Sequence, residues 1–244
     1  MSKNQELADK TVLITGASRG IGKAAALEAA KRGAHIIATA RTKGALEDLD
    51  DEINELGASA TLVPFDLANF DAIDRLGAQI FERWGKLDAL IGNAGMLGTL
   101  TPVPHISPKD FEKVMAINVG ANYRLLRSMD LLLRKSDAGR VLFVSSSSAK
   151  SCKPYWGLYA SSKAALNALT KSYVNEMSST NVKANIFYPG AVRTAMRAKA
   201  MPGENPKTLP HPSEIAPTLI DMISPTYMEN GKVFDVRENS LIEL

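Results

Sequence analysis

Short apolar runs alternate with amphipathic stretches along most of the chain. Thr11–Thr15 is β-branched and is followed at once by glycines, which predicts a buried strand ending in a turn. Ile21–Lys31 is rich in alanine and stops before Gly33, the pattern of a helix with a glycine just past its end. The same alternation predicts strands at His35–Thr39, Thr61–Phe65 and Leu87–Ile91. Helices are predicted between them over Gly44–Leu56 and Ala72–Trp84, closed by Gly57 and Gly85. The second half predicts helices at Asp110–Arg134, Tyr159–Ser178 and Ser213–Ile223, with strands at Arg140–Ser145, Val182–Phe187 and Lys232–Val236. Seven short strands separated by helices form βαβ units, which expect a parallel sheet covered on both faces. No linker or repeat divides residues 1–244, so one domain is expected; the Pro-rich stretch 202–212 is its one long irregular segment.

Composition narrows the class without naming a chemistry. Apolar residues make up 45% and charged residues 23%, the mix of a soluble globular protein. A net charge of +3, with no run of Lys or Arg, gives no footing for nucleic acid as a partner. The one cysteine, Cys152, excludes an internal disulfide and suits a reducing compartment. Met1–Lys10 is polar and lacks the apolar stretch of a signal peptide, and no apolar run approaches the roughly 20 residues that span a bilayer. A cytoplasmic protein with no membrane partner is therefore expected. His35, His105 and His211 are scattered, and no metal site is expected.

Two constellations carry chemistry. At the first strand-to-helix turn stands Thr15-Gly16-Ala17-Ser18-Arg19-Gly20-Ile21-Gly22. Glycines there let the backbone approach a pyrophosphate closely, and a helix N-terminus presents free N–H groups to it. The second strand ends in Ala40-Arg41 with no acidic residue, and Lys43 follows. A carboxylate at that point would bind ribose hydroxyls, whereas guanidinium groups from Arg19 and Arg41 suit a 2′-phosphate, so NADP(H) is favoured over NAD(H). The second constellation is Tyr159-Ala-Ser-Ser-Lys163, which puts a phenol and an ammonium on one helix face a turn apart. A nearby Lys⁺ is expected to lower the phenol pKa and make the pair a general acid and base. Ser146 lies at the end of a strand, where ligands of open α/β sheets bind; its neighbours Ser145, Ser147 and Ser148 are alternatives.

With these residues in place, the chain resembles the short-chain dehydrogenase/reductase family from Thr11 to about Val236. Gly16, Gly20 and Gly22 match its T-G-x-x-x-G-x-G turn, and Asp66-Leu67 its acidic residue after the third strand. Asn93-Ala94-Gly95 matches its N-A-G, Asn118 the Asn of its long helix, and Ser146, Tyr159 and Lys163 its Ser, Tyr and Lys. Pro189-Gly190 with Val192 and Thr194 matches its P-G-x-V-x-T segment. The resemblance implies a single-domain Rossmann-type doubly wound fold, a seven-stranded parallel sheet flanked by helices on both faces. It implies cofactor contacts at Gly16, Ser18, Arg19, Gly20, Ile21, Gly22, Arg41, Asp66 (to the adenine ring), Leu67, Asn93, Ala94, Gly95, Tyr159, Lys163, Pro189, Gly190, Val192 and Thr194. Tyr159 is expected to exchange the proton, Lys163 to hold the nicotinamide ribose, Ser146 to orient the substrate oxygen, and Asn118 to hold a relay water.

The implied activity is hydride transfer between NADP(H) and a small-molecule carbonyl or alcohol. An NAD-dependent alcohol dehydrogenase and a dinucleotide-binding sensor without turnover stand as alternatives. Substrate choice is expected to depend on 149–158 and on the loop 191–212, where Met196 and Met201 suit an apolar lid; Trp156 and Tyr155 are candidate lining groups. The chain departs from the family pattern at Gly92, where a second Asn is usual, and at Phe234-Asp235-Val236-Arg237, where V-D-G-G is common. The tail Glu238–Leu244 and the Leu- and Met-rich stretch Tyr123–Leu133 are expected to meet other subunits, in a homodimer or homotetramer.

Overall fold

Eight strands make one sheet in the order β3-β2-β1-β4-β5-β6-β7-β8, described here from a computed structural model over residues 5–244. The first four residues of the polar stretch Met1–Lys10 lie outside the described residues. The strands are β1 (Thr11–Thr15), β2 (His35–Ala40), β3 (Ser59–Pro64), β4 (Ala89–Gly92), β5 (Arg140–Val144), β6 (Lys183–Tyr188), β7 (Lys232–Asp235) and β8 (Ser240–Glu243). All neighbours pair in parallel except β7 and β8. The connecting helices are α1 (Gly20–Lys31), α2 (Lys43–Glu55), α3 (Phe70–Trp84), α4 (Pro108–Met115), α5 (Ala121–Arg134), α6 (Ser148–Ser151), α7 (Gly157–Glu176), α8 (Ala195–Ala200) and α9 (Pro212–Asp221).

Alternation within the strands explains why both faces carry helices. Val12 and Ile14 pack toward α1, α2 and α9, while Leu13 between them packs toward α3, α5 and α7. Every residue of β1 is buried, which is why this strand reads as a continuous apolar run. The order reverses at β1, flanked by β2 and β4. Such a switch point opens a crevice beyond the strand ends, where ligands of this architecture bind.

Three segments differ from the sequence expectation. The sheet has eight strands, not seven: Ser240–Glu243 folds back through a turn and pairs antiparallel with β7. Asn239 takes φ 45° in that turn, and the tail becomes the edge strand of its own chain's sheet. The helix expected over Asp110–Arg134 starts at Pro108, capped by Ser107 Oγ, and is widened to a π-helix at Ala116–Gly120. The widening accompanies Asn118, whose side chain bonds across to Met96, and Asn122, which donates to the Asn118 carbonyl. The loop 191–212 is not wholly irregular. It contains α8, capped by Thr194 Oγ1, and a 3₁₀ turn at Pro206–Thr208.

Candidate active site

The glycine turn between β1 and α1 is held open by steric need. Gly16 and Gly20 take φ of 65° and 59°, a left-handed region that favours glycine. Gly22 is constrained by contact instead: a Cβ there would stand 2.3 Å from the Gly16 carbonyl oxygen and 2.4 Å from Asn93 Nδ2. Asn93 Nδ2 donates to the carbonyls of Thr15 (2.9 Å) and Gly16 (3.3 Å). Thr15 Oγ1 in turn accepts from the backbone N–H of Asn93 (3.0 Å) and Ala94 (3.1 Å). The turn after β1 and the segment after β4 are thus one rigid unit. Thr15, visible in the T-G motif, was not expected to have this role.

Around the turn lies a cleft of about 1250 Å³. Its walls include Ser18, Arg19 and Ile21 from the glycine turn, Arg41 after β2, and Asp66 and Leu67 after β3. Ala94 and Gly95 follow β4, and Pro189, Gly190, Val192 and Thr194 follow β6. Of the positions expected to contact a dinucleotide, all but Gly22 line this one crevice; Gly22 packs behind the turn against Asn93. Arg19 and Arg41 are exposed, and neither has a carboxylate partner among the described residues, whereas Lys43 is tied to Glu47 on its own helix at 3.0 Å. Asp66 is exposed and accepts from the N–H of Ala68. The first turn of α1 has no acidic residue, so its N–H groups meet no competing carboxylate there. A glycine cradle, an unopposed helix end and two unpaired guanidiniums fit a phosphorylated dinucleotide.

Ser146, Tyr159 and Lys163 line the same cleft. Lys163 is only 3% exposed and its ammonium donates to the Val144 carbonyl at 2.9 Å, one strand residue before the serines. Its nitrogen lies 5.7 Å from the centre of the Tyr159 ring. Burial pulls Lys163 down to about 8. Burial likewise pushes the Tyr159 phenol up to about 12, against a smaller downward pull from its hydrogen bond with Ser146. This corrects the expectation that Lys163 lowers the phenol: removal from water outweighs the distant ammonium. Hydrogen bonding separates Ser145 from Ser146. Ser145 is buried and donates to Asn167 Oδ1, whose amide donates to the Tyr188 hydroxyl, so Ser145 belongs to the scaffold. Ser146 bonds Ser148 and the Tyr159 hydroxyl at the cleft wall.

Asn118 is fully buried and its side chain is committed. Its Oδ1 accepts from Met96 N–H (2.7 Å), and its Nδ2 donates to the Met96 carbonyl and to Ser162 Oγ (2.9 Å each). Ser162 Oγ donates onward to the Tyr159 carbonyl, which joins the segment after β4 to the helix bearing Tyr159 and Lys163. Ser162 lies inside the Tyr159–Lys163 spacing, yet its link to Asn118 depends on a contact between distant segments that spacing does not reveal. Trp156 lines the cleft and packs edge-on against Tyr159 at 6.0 Å; Tyr155 and Cys152 are exposed and lie outside it. Met196 lines the cleft, whereas Met201 lines a separate 230 Å³ cavity beneath α8. Among the described residues, no helix is long and apolar enough to cross a membrane.

Known proteins resemble this chain in sequence and fold. Residues 10–205 match the family model for short chain dehydrogenases. The oxidoreductase YciK of Escherichia coli (strain K12) is 34% identical over 239 residues, covering 96% of this chain and 94% of YciK. A chain from Shigella flexneri 2a solved with NADP is 34% identical and superposes with a TM-score of 0.92, covering 96% of this chain and all of its own. One from Escherichia coli CFT073 solved with NADPH gives the same identity and TM-score over 96% of this chain and 98% of its own. The chain belongs to the short chain dehydrogenase family.

Proposed function

We propose that the chain is an NADP(H)-dependent oxidoreductase that interconverts a small-molecule carbonyl and its alcohol, working in the cytoplasm as a homo-oligomer. The observation that carries this reading is the convergence of Ser146, Tyr159 and Lys163 on the cleft that the glycine turn opens. Relatives solved with NADP and NADPH support the choice of cofactor, as do Arg19 and Arg41, two cations free to take a 2′-phosphate. Gly16, Ser18, Gly20, Ile21 and Gly22 would hold the pyrophosphate, Asp66 and Leu67 the adenine, and Asn93 to Gly95, Pro189, Gly190, Val192 and Thr194 the remainder. A bound nicotinamide would supply or accept the hydride.

This chain's own side chains handle the proton. Tyr159 donates it to the substrate oxygen, and Ser146 hydrogen-bonds that oxygen and fixes its position. The phenol carries its proton at neutral pH, the form that can protonate a carbonyl oxygen. Lys163 holds the cofactor ribose. Asn118 is a positioning residue that fixes the segment carrying Gly95 against Lys163: a Cβ on Gly95 would lie 3.4 Å from Asn118 Oδ1 and 3.6 Å from Lys163 Nζ.

The test is NADPH oxidation against a panel of ketones, quinones, sugars and 3-oxoacyl thioesters, with NADH in parallel. Turnover with at least about tenfold preference for NADPH, reduced in Arg41→Asp, is the expected result. Equal use of NADH, or NADPH binding without turnover of any compound, would contradict it.

A further inference from the structure

The sequence departs from the family pattern at Arg237, and the structure places that residue on the wall of the cleft that Ser146 and Tyr159 also line. β5, β6 and β7 lie side by side, with Phe143 opposite Ile186 and Tyr188 opposite Asp235. Their C-terminal ends deliver, in order, Ser146, Pro189-Gly190 and Arg237, and all line one cavity. Two strand spacings separate the first end from the third, about 10 Å. A single small substrate can span that distance.

Arg237 is built into position. Asp235, whose side chain is 7% exposed, accepts from the Arg237 N–H at 3.0 Å and from its guanidinium at 3.4 Å. Its stem lies over Gly190, where a Cβ would approach Arg237 Cγ to 2.9 Å, so the Pro-Gly turn makes room for it. The Arg237 side chain remains 55% exposed, and its guanidinium makes one long contact to a carboxylate, its other N–H groups having no partner among the described residues. Lys150, Lys153 and Arg193 line the same cleft, none with a carboxylate partner among the described residues. Of the carboxylates that line the cleft, Asp235 is the one at the ends of β5, β6 and β7.

We propose that Arg237 binds an oxyanion of the substrate, a carboxylate or a phosphate ester, so that this site acts on anionic carbonyl compounds. The inference rests on the reading of Ser146 and Tyr159 given above. A planar guanidinium held at its stem matches either group through paired N–H donors, and the surrounding excess of cations draws such substrates in.

The test compares kcat/KM for NADPH-dependent reduction of 4-acetylbenzoate, 4-acetylphenyl phosphate and methyl 4-acetylbenzoate, in the wild type and in Arg237→Gln, which keeps much of the stem. The wild type is expected to favour at least one anion over the neutral ester by about tenfold or more, mainly through KM. Whichever anion is favoured names the source of the charge. In Arg237→Gln that ratio falls toward one. A wild type that treats the ester as well as both anions, or a ratio that survives the substitution, overturns the proposal while leaving the proposed function standing. If none of the three is reduced, binding decides: calorimetry with benzoate and phenyl phosphate on the NADP⁺-loaded protein should show at least tenfold weakening in Arg237→Gln. Equal binding, no binding to the wild type, or a loss of NADP⁺ affinity in the variant would each overturn it.

Discussion

At the scale of single residues, the site is held together by groups that work against stability. Lys163 is 3% exposed, donates to the backbone carbonyl of Val144, and is pulled down to about 8 by burial. A base whose folded pKa lies below its unfolded value of 10.5 binds fewer protons when folded. Its charge therefore costs stability in full below about pH 8, and the cost fades as pH climbs from 8 toward 10.5. Lys163→Met is expected to raise stability by roughly 2 kcal/mol at pH 7, with the gain shrinking above pH 8, while turnover is lost. Urea denaturation of both proteins at pH 7 and pH 10 measures this; a less stable variant at pH 7 would show that the ammonium is not a burden on the fold. The same titration governs activity. In the proposed mechanism the protonated lysine is the competent form, so kcat/KM for carbonyl reduction is expected to fall as pH rises past about 8. A profile flat to pH 10 would contradict that role.

Among the elements, the β1–α1 turn and the segment after β4 act as one piece through Thr15 and Asn93. Gly22→Ala tests this coupling, because its methyl would meet the Gly16 carbonyl and the Asn93 amide, neither of which can yield without moving the turn. The expected cost is about 1–3 kcal/mol of stability together with a loss of NADPH affinity exceeding tenfold, read by thermal melts and fluorescence titration. Unchanged NADPH affinity would show the cradle to be more pliable than its contacts imply. The strands that frame this turn were legible in sequence because both faces of β1, β2 and β5 are buried, leaving unbroken apolar runs between turn glycines. β8 was not legible: Ser240–Glu243 is a four-residue edge strand of mixed polarity whose pairing comes from the turn at Asn239. The π-helix at Ala116–Gly120 was hidden for another reason. It accompanies bonds from Asn118 to Met96, 22 positions away, and no local periodicity encodes such a bond. Of the candidate site, the residue types and spacing were readable, whereas the burial that sets the Tyr159 and Lys163 proton affinities depends on packing from distant segments.

For the molecule as a whole, α1 is fastened to α9 and to the segment before β1 by one cation. The Arg32 side chain, 6% exposed, meets Glu6 at 2.5 Å, Asp221 at 2.6 Å and Glu28 at 2.8 Å, and donates to the Pro217 carbonyl. Removing it leaves three carboxylates crowded together, although water reaches each of them and softens the penalty. Arg32→Met is expected to cost about 2 kcal/mol, or about 6 °C in Tm, and an unchanged Tm would show that the cluster adds nothing. The proton chemistry proposed for the cleft at the other end of β1 rests on one hydroxyl. Its most direct test is kcat for NADPH-dependent carbonyl reduction in Tyr159→Phe, measured beside NADPH affinity in the same preparation. The account predicts a fall in kcat of at least about a hundredfold with NADPH affinity nearly intact. A variant that binds NADPH and keeps close to the wild-type kcat would contradict it.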